Sequence, residues 1–172
     1  EACAVRVRDG EVMATFHTLV KFKGQELNTE VTKVTGHTIE DLKHGMDETE
    51  LAHFLYSFIG KDLVIAHNAL FDLFFLETLF LGHLDFDFID SSWHLPNDFV
   101  DTLTIARDRK GYPHKLHDVC RHYNVDFDAE DAHSAYFDCM AVVDLVHAMQ
   151  AEDGTKDVDW QNVEDFVNVA GY

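Results

Sequence analysis

The sequence has little proline (2), little glycine (9), few cysteines (3) and few basic residues, 13 Lys+Arg against 32 Asp+Glu, for a formal net charge of −19. So little Gly and Pro excludes a collagen-like or low-complexity chain. The cysteines, Cys3, Cys120 and Cys139, are odd in number and far apart. They do not form a disulfide framework and suit buried thiols of a reducing compartment, which points to the cytoplasm. No apolar run approaches the roughly 18 residues of a membrane-spanning helix, so no membrane partner is expected. No signal peptide is recognisable at the start. The first residue is Glu1 rather than Met, which implies upstream sequence. The charge argues against a simple nucleic-acid binder, because an acidic body repels phosphate and attracts divalent cations. Local basic residues, site metals or ambient salt would relieve that repulsion.

What is present describes a globular domain. The 172 residues are 47% apolar, enough for one domain with a real core and too apolar for a disordered chain. Five basic residues fall in one short stretch, Arg107, Arg109, Lys110, Lys115 and Arg121. A phosphate track and a solvated loop are both open readings of it.

Residues 3–8 alternate, with Cys3, Val5 and Val7 on one face and Arg6 and Arg8 on the other. Asp9-Gly10 is a residue pair suited to two successive positive φ angles, so a hairpin into Glu11–Val20 is expected. A polar stretch follows over 23–48, with a turn at Thr35-Gly36-His37 and a short helix near Ile39–Leu42. Leu51, Phe54, Leu55, Phe58 and Ile59 have helical spacing, and Gly60 ends that helix. Leu63-Val64-Ile65-Ala66 is short and wholly apolar, the signature of a strand buried on both faces. Helices are expected over 70–81, 116–123 and 132–149, and a strand near 99–103. Strands alternating with helices after an antiparallel start predict an α/β fold, a mixed sheet flanked by helices. Residues 1–150 form the expected domain, and 151–172 an acidic C-terminal tail or terminal helix, with a strand and a mobile end as the other readings of that segment. No internal repeat is visible.

Two segments carry chemistry. Ala66-His67-Asn68-Ala69-Leu70-Phe71-Asp72 ends the buried strand and opens a helix, the edge where open α/β sheets form ligand sites. Helix capping is the competing reading of Asn68 and Asp72. His133-Ser-Ala-Tyr-Phe-Asp138 opens the long helix. Residues five apart lie about 140° apart on a helix, so the two side chains meet only if His133 precedes the first turn. His114, His117, Cys120 and His122 are close enough in sequence to suggest zinc, yet Cys120 and Leu116 fall on the apolar face of their helix, and His117 and His122 need not converge with Cys120.

Together the two segments resemble the DnaQ-like exonucleases of the DEDDh type, a superfamily that includes polymerase proofreading subunits, RNase T and oligoribonuclease. His67-Asn68-x-x-Phe71-Asp72 is similar to the family's second motif and His133-x4-Asp138 to its third. Val100-Asp101-Thr102-Leu103 before Ile105-Ala106-Arg107 resembles the segment between them. Phe16–Val20 and Val34–Thr38 resemble the third strand and the turn after it. The likeness runs in order over residues 1 to 150. It departs in one place. The first motif, an Asp-x-Glu pair on the first strand, is missing, and Glu1 resembles the Glu that opens the second strand. The resemblance therefore implies a ribonuclease H-like sheet whose first, central strand is absent. An upstream origin is the main reading; a permutation bringing Asp157-Val-Asp159 or Glu164-Asp165 into that role is another, and an inactive descendant a third.

The resemblance implies a metal-dependent 3′–5′ exonuclease acting on the 3′ end of single-stranded DNA or RNA, with proofreading beside a DNA polymerase as one setting. In the alternative, a catalytically dead module of the same fold serves as a scaffold. Two Mg²⁺ or Mn²⁺ ions roughly 3.5–4 Å apart would clamp the displacement, with Asp72 and Asp138 among their ligands. Such ions prefer carboxylate oxygen. His133, of unperturbed pKa near 6.5, would be the general base. Asp101 would orient a ligand or a water, and Asn68, Phe71, Gly36 and His37 would hold the terminal nucleotide.

Overall fold

A computed structural model describes residues 1–24, 26–85, 93–127, 134–152 and 165–171. Strands β1 (Ala2–Arg8) and β2 (Glu11–Thr18) form the expected hairpin. Asp9 and Gly10 both take positive φ, 51° and 74°, the backbone that matches the twist of a tight antiparallel pair. Helices α1 (Thr29–Thr35), α2 (Ile39–Lys43) and α3 (Glu48–Ile59) follow. The first of these was not expected. It is bounded by the Asn28 side chain, which accepts from the Glu30 N–H, and by Gly36, left-handed at φ 71°. Strand β3 (Val64–Ala66) then leads into α4 (Ala69–His83), and β4 (Phe99–Asp101) into α5 (Thr102–Arg109). Helices α6 (Leu116–His122) and α7 (Ala135–Ala151) precede the final strand β5 (Phe166–Gly171).

The five strands form one mixed sheet in the order β2-β1-β5-β3-β4. The architecture is α/β, as expected, but the central place is not vacant. Strand β5 fills it, antiparallel to β1 and parallel to β3. Of the readings open for the segment 151–172, a tail, a terminal helix or a strand, its end takes the strand, and a central one. Its Phe-Val-Asn-Val-Ala run is apolar enough to be buried on both faces, as a strand with neighbours on both sides must be. Of the permutation candidates, Asp157, Asp159 and Glu164 lie outside the described residues. Asp165 sits at the hairpin end, where it accepts from the Asp9 N–H at 3.0 Å.

Each face of the sheet carries its own core. Cys3, Val5, Val7, Ile65 and Phe166 pack with α5, α6 and α7. Ala2, Ala4, Val64, Val167 and Val169 pack with α3 and α4. Successive residues of β1 and β5 therefore serve opposite cores, the period of two that a strand imposes. Phe80 of α4 is fully buried and meets Tyr56 and Trp93 edge-on, with centroids at 5.4 and 6.5 Å. Phe80→Ala is expected to destabilise the fold by about 3–5 kcal/mol. A denaturation midpoint within error of wild type would contradict this packing account.

Candidate active site

Because β3, β4 and β5 run parallel, their C-terminal ends share one edge of the sheet. The chain turns there from β3 into α4 through His67 and Asn68, the latter left-handed at φ 70°. Asn tolerates that backbone better than most residues. Asn68 holds the N-cap position without a side-chain capping bond, so the capping reading fails for it. The cap comes from Asp101. One carboxylate oxygen accepts the N–H groups of Asn68 (2.9 Å), Ala69 (3.2 Å) and Leu103 (3.0 Å), and the other accepts the Thr104 hydroxyl (2.9 Å). Asp101 thereby fixes the starts of both α4 and α5.

His67 is pinned on both sides of its ring. Nε2 lies 2.9 Å from the His114 carbonyl oxygen, which only accepts, so Nε2 carries the hydrogen. Nδ1 lies 3.0 Å from the Thr102 hydroxyl, which also lies 3.3 Å from the Ala66 carbonyl as its donor. Burial pushes this imidazole below its ordinary pKa and keeps it neutral.

Asp72 lies in the first turn of α4 and Asp138 in the first turn of α7. Both are buried, at 8% exposure, and both line one cavity of about 430 Å³ at this edge, together with Asn68, Phe71, Lys115 and Asn168. Phe71 is half exposed. The two carboxylates come from helices on opposite faces of the sheet, so only this edge lets them meet. Asn168 is a residue that sequence reasoning missed. It is buried on β5, its Nδ2 donates to the Ile65 carbonyl at 2.8 Å, and its Oδ1 is buried with no hydrogen-bond partner among the described residues. The signal was a lone amide within an apolar run. With Ala170 two residues on, the central strand presents an amide and a methyl where the expected pattern has two carboxylates.

Oxygen donors from Asp72, Asp138 and Asn168 Oδ1 fit a hard divalent cation. The described residues lining the cavity offer no further carboxylate donors for a second ion. Among the described residues, no group of three or more His, Cys, Asp or Glu could hold a metal. His133 lies outside the described residues; Ser134, next to it, begins the described path into α7.

Gly36 and His37 go elsewhere on the same edge. Gly36 ends α1, and His37 Nε2 lies 3.4 Å from the carboxylate of Glu1. That carboxylate, 4% exposed, is also bonded by His17 and by the Ser134 hydroxyl. Burial works against its charge, but hydrogen bonds from His17, the Ala135 backbone and His37 outweigh it and hold the group below its ordinary pKa. The residues weighed for zinc are separately engaged. His114 donates to the Lys110 carbonyl, His117 faces Asp118, and His122 meets Tyr123 edge-on. Burial raises the Cys120 thiol to about 12.

The RNase T exonuclease family model matches residues 1–146. The chain is 25% identical over 166 residues to the PolC-type DNA polymerase III of Bacillus subtilis, covering 94% of this chain and 11% of that protein. It is 27% identical over 166 residues to the PolC-type enzyme of Halalkalibacterium halodurans, covering 92% and 10%. The chain thus spans about a tenth of the length of these relatives. Among solved structures it resembles exonuclease X, determined in complex with 5′ overhanging duplex DNA. The TM-score is 0.63 at 18% identity, over 89% of this chain and 83% of that one, a likeness of fold.

The pinned His67 has a measurable consequence. With its pKa lowered in the folded state, the unfolded chain takes up the proton more readily. The stability from this group is complete above about pH 6.5 and is lost as pH falls below it. The urea midpoint is expected to fall with pH below about 6.5 more steeply in the wild type than in His67→Gln. Parallel curves would show that His67 is not held neutral.

Proposed function

This chain belongs to the RNase T exonuclease family, and on that premise we propose that it is a divalent-cation-dependent 3′–5′ exonuclease that shortens single-stranded nucleic acid. DNA is the favoured substrate, from the PolC-type relatives, and proofreading beside a polymerase is the favoured setting. The observation that carries the reading is the meeting of Asp72 and Asp138 in one cavity at the strand ends. The same edge is where open α/β sheets bind ligands.

Asp72 and Asp138 would hold Mg²⁺ or Mn²⁺ through carboxylate oxygens. An ion bound there supplies Lewis-acid stabilisation of charge developing on the phosphate oxygens. Asn68 and Phe71, on the cavity wall, receive the terminal nucleotide, with the half-exposed Phe71 ring set against its base or sugar. The neutral Asn68 side chain, free of capping duty, is available to hydrogen-bond it. His133 takes the proton of the attacking water. Asp101 acts through the backbone it caps and keeps Asp72 directed at the cavity. Gly36 and His37 border the same edge through Glu1 and guide the strand into it.

A second reading is favoured by one observation. The central strand carries Asn168 and Ala170 and so offers no carboxylate to the cavity. A site with half its acidic ligands suits a non-catalytic module that binds nucleic acid or another protein.

An end-labelled single strand separates the two. With Mn²⁺ the wild type is expected to produce a ladder shortened one nucleotide at a time from the 3′ end, and chelation to stop it. Asp72→Ala is expected to lose more than about a hundredfold in rate, beyond the 10–100-fold of residues that merely support a metal ligand. His133→Ala is expected to lose about 10²- to 10⁴-fold. No ladder from the wild type favours the module, and an undiminished rate in His133→Ala removes that residue from the reaction.

A further inference from the structure

The cavity holds two buried carboxylates in a chain of net charge −19, so an incoming phosphate needs a local counter-charge. The basic stretch 107–121 is the natural source, and most of it is already engaged. Arg109 pairs with Glu152 at 3.1 Å, and Arg121 lies 3.9 Å from Asp118. Lys110 folds back on the carbonyls of Gly111 and Pro113. Of the five, Lys115 is the one that lines the cavity. Its side chain is exposed, and among the described residues no carboxylate pairs with it.

We propose that Lys115 is the phosphate-contacting cation of this cavity, and that His67 positions it through the backbone of His114. The bond from His67 Nε2 to the His114 carbonyl ties the end of β3 to the residue just before Lys115. The His114 ring then donates to the Lys110 carbonyl at 3.0 Å, which closes the intervening loop on itself. On the other side, the Lys115 carbonyl accepts from Asp118 and Val119 at 2.9 and 3.0 Å. The backbone of Lys115 is thus held from both directions while its ammonium stays available at the cavity wall. Its ligand is a phosphodiester of a single strand whose 3′ end lies near Asp72 and Asp138. This rests on the exonuclease reading and adds to it the residue that grips the backbone.

The test is the salt dependence of binding. A short single-stranded oligodeoxynucleotide is titrated in Ca²⁺ across about 50 to 200 mM NaCl. One lost phosphate contact on a single strand makes the slope of log affinity against log salt shallower by about 0.7. Lys115→Gln is expected to show that change, Lys115→Arg to restore the wild-type slope, and Arg121→Gln to leave it unaltered. His67→Leu, folded by circular dichroism, is expected to match Lys115→Gln, with no further change in the double variant. Should His67→Leu not fold, the Lys115 variants decide. A wild-type slope in Lys115→Gln, or an equal loss in Arg121→Gln, overturns the proposal even where the wild type cuts DNA. A wild type that neither binds nor cuts the strand overturns the exonuclease reading as well.

Discussion

The carboxylate of Asp101 is the constraint on which the site depends. It accepts three backbone N–H groups and one hydroxyl, and these belong to the first residues of two helices that leave two adjacent parallel strands. A helix start has N–H groups with no partner inside the helix. By supplying that partner from a neighbouring strand, Asp101 fixes where α4 begins. The first turn of α4 carries Asp72, so the cap also sets where that carboxylate lies. The same edge is held a second time by His67, which bonds Thr102 on one side and the His114 backbone on the other. Hydrogen bonds to charged acceptors contribute more than neutral ones, about 1.5–3 kcal/mol each, which suits Asp101 to the task.

Much of this was legible in residue order because it is local. The Asp9-Gly10 pair demands two positive φ angles and takes them. The apolar run before His67 is a buried strand, and the motif after it does open a helix. Asp72 and Asp138, some sixty residues apart, were linked by family likeness, and the cavity brings them to one place. Helix α1 was missed because its boundaries rest on two small signals, an Asn cap and a left-handed Gly, within a polar stretch. Gly36, read from the sequence as a turn, ends that helix.

A strand was one of several open readings of the C-terminal segment, but the place of β5 in the sheet was not legible. Its pairing with β1 joins residues at opposite ends of the chain, such as Cys3 with Ala170, and no local pattern encodes such a register. Its position matters for chemistry as well as for fold. The strand brings Asn168 into the cavity and leaves an amide oxygen buried with no partner among the described residues. A buried acceptor left unsatisfied costs about 1–3 kcal/mol, and a cation between Asp72 and Asp138 would relieve that cost. Acidity is compatible with the proposed nucleic-acid chemistry, because the charge that would repel a strand would also draw cations to the cavity.

The central claim is that Asp72 and Asp138 act as one cation-binding pair, and it is tested most directly without any substrate. Mn²⁺ binding followed by electron paramagnetic resonance should show a bound ion in the wild type. That signal should be lost alike in Asp72→Asn and in Asp138→Asn. If either variant retains wild-type Mn²⁺ affinity, the two carboxylates do not share an ion and the account fails.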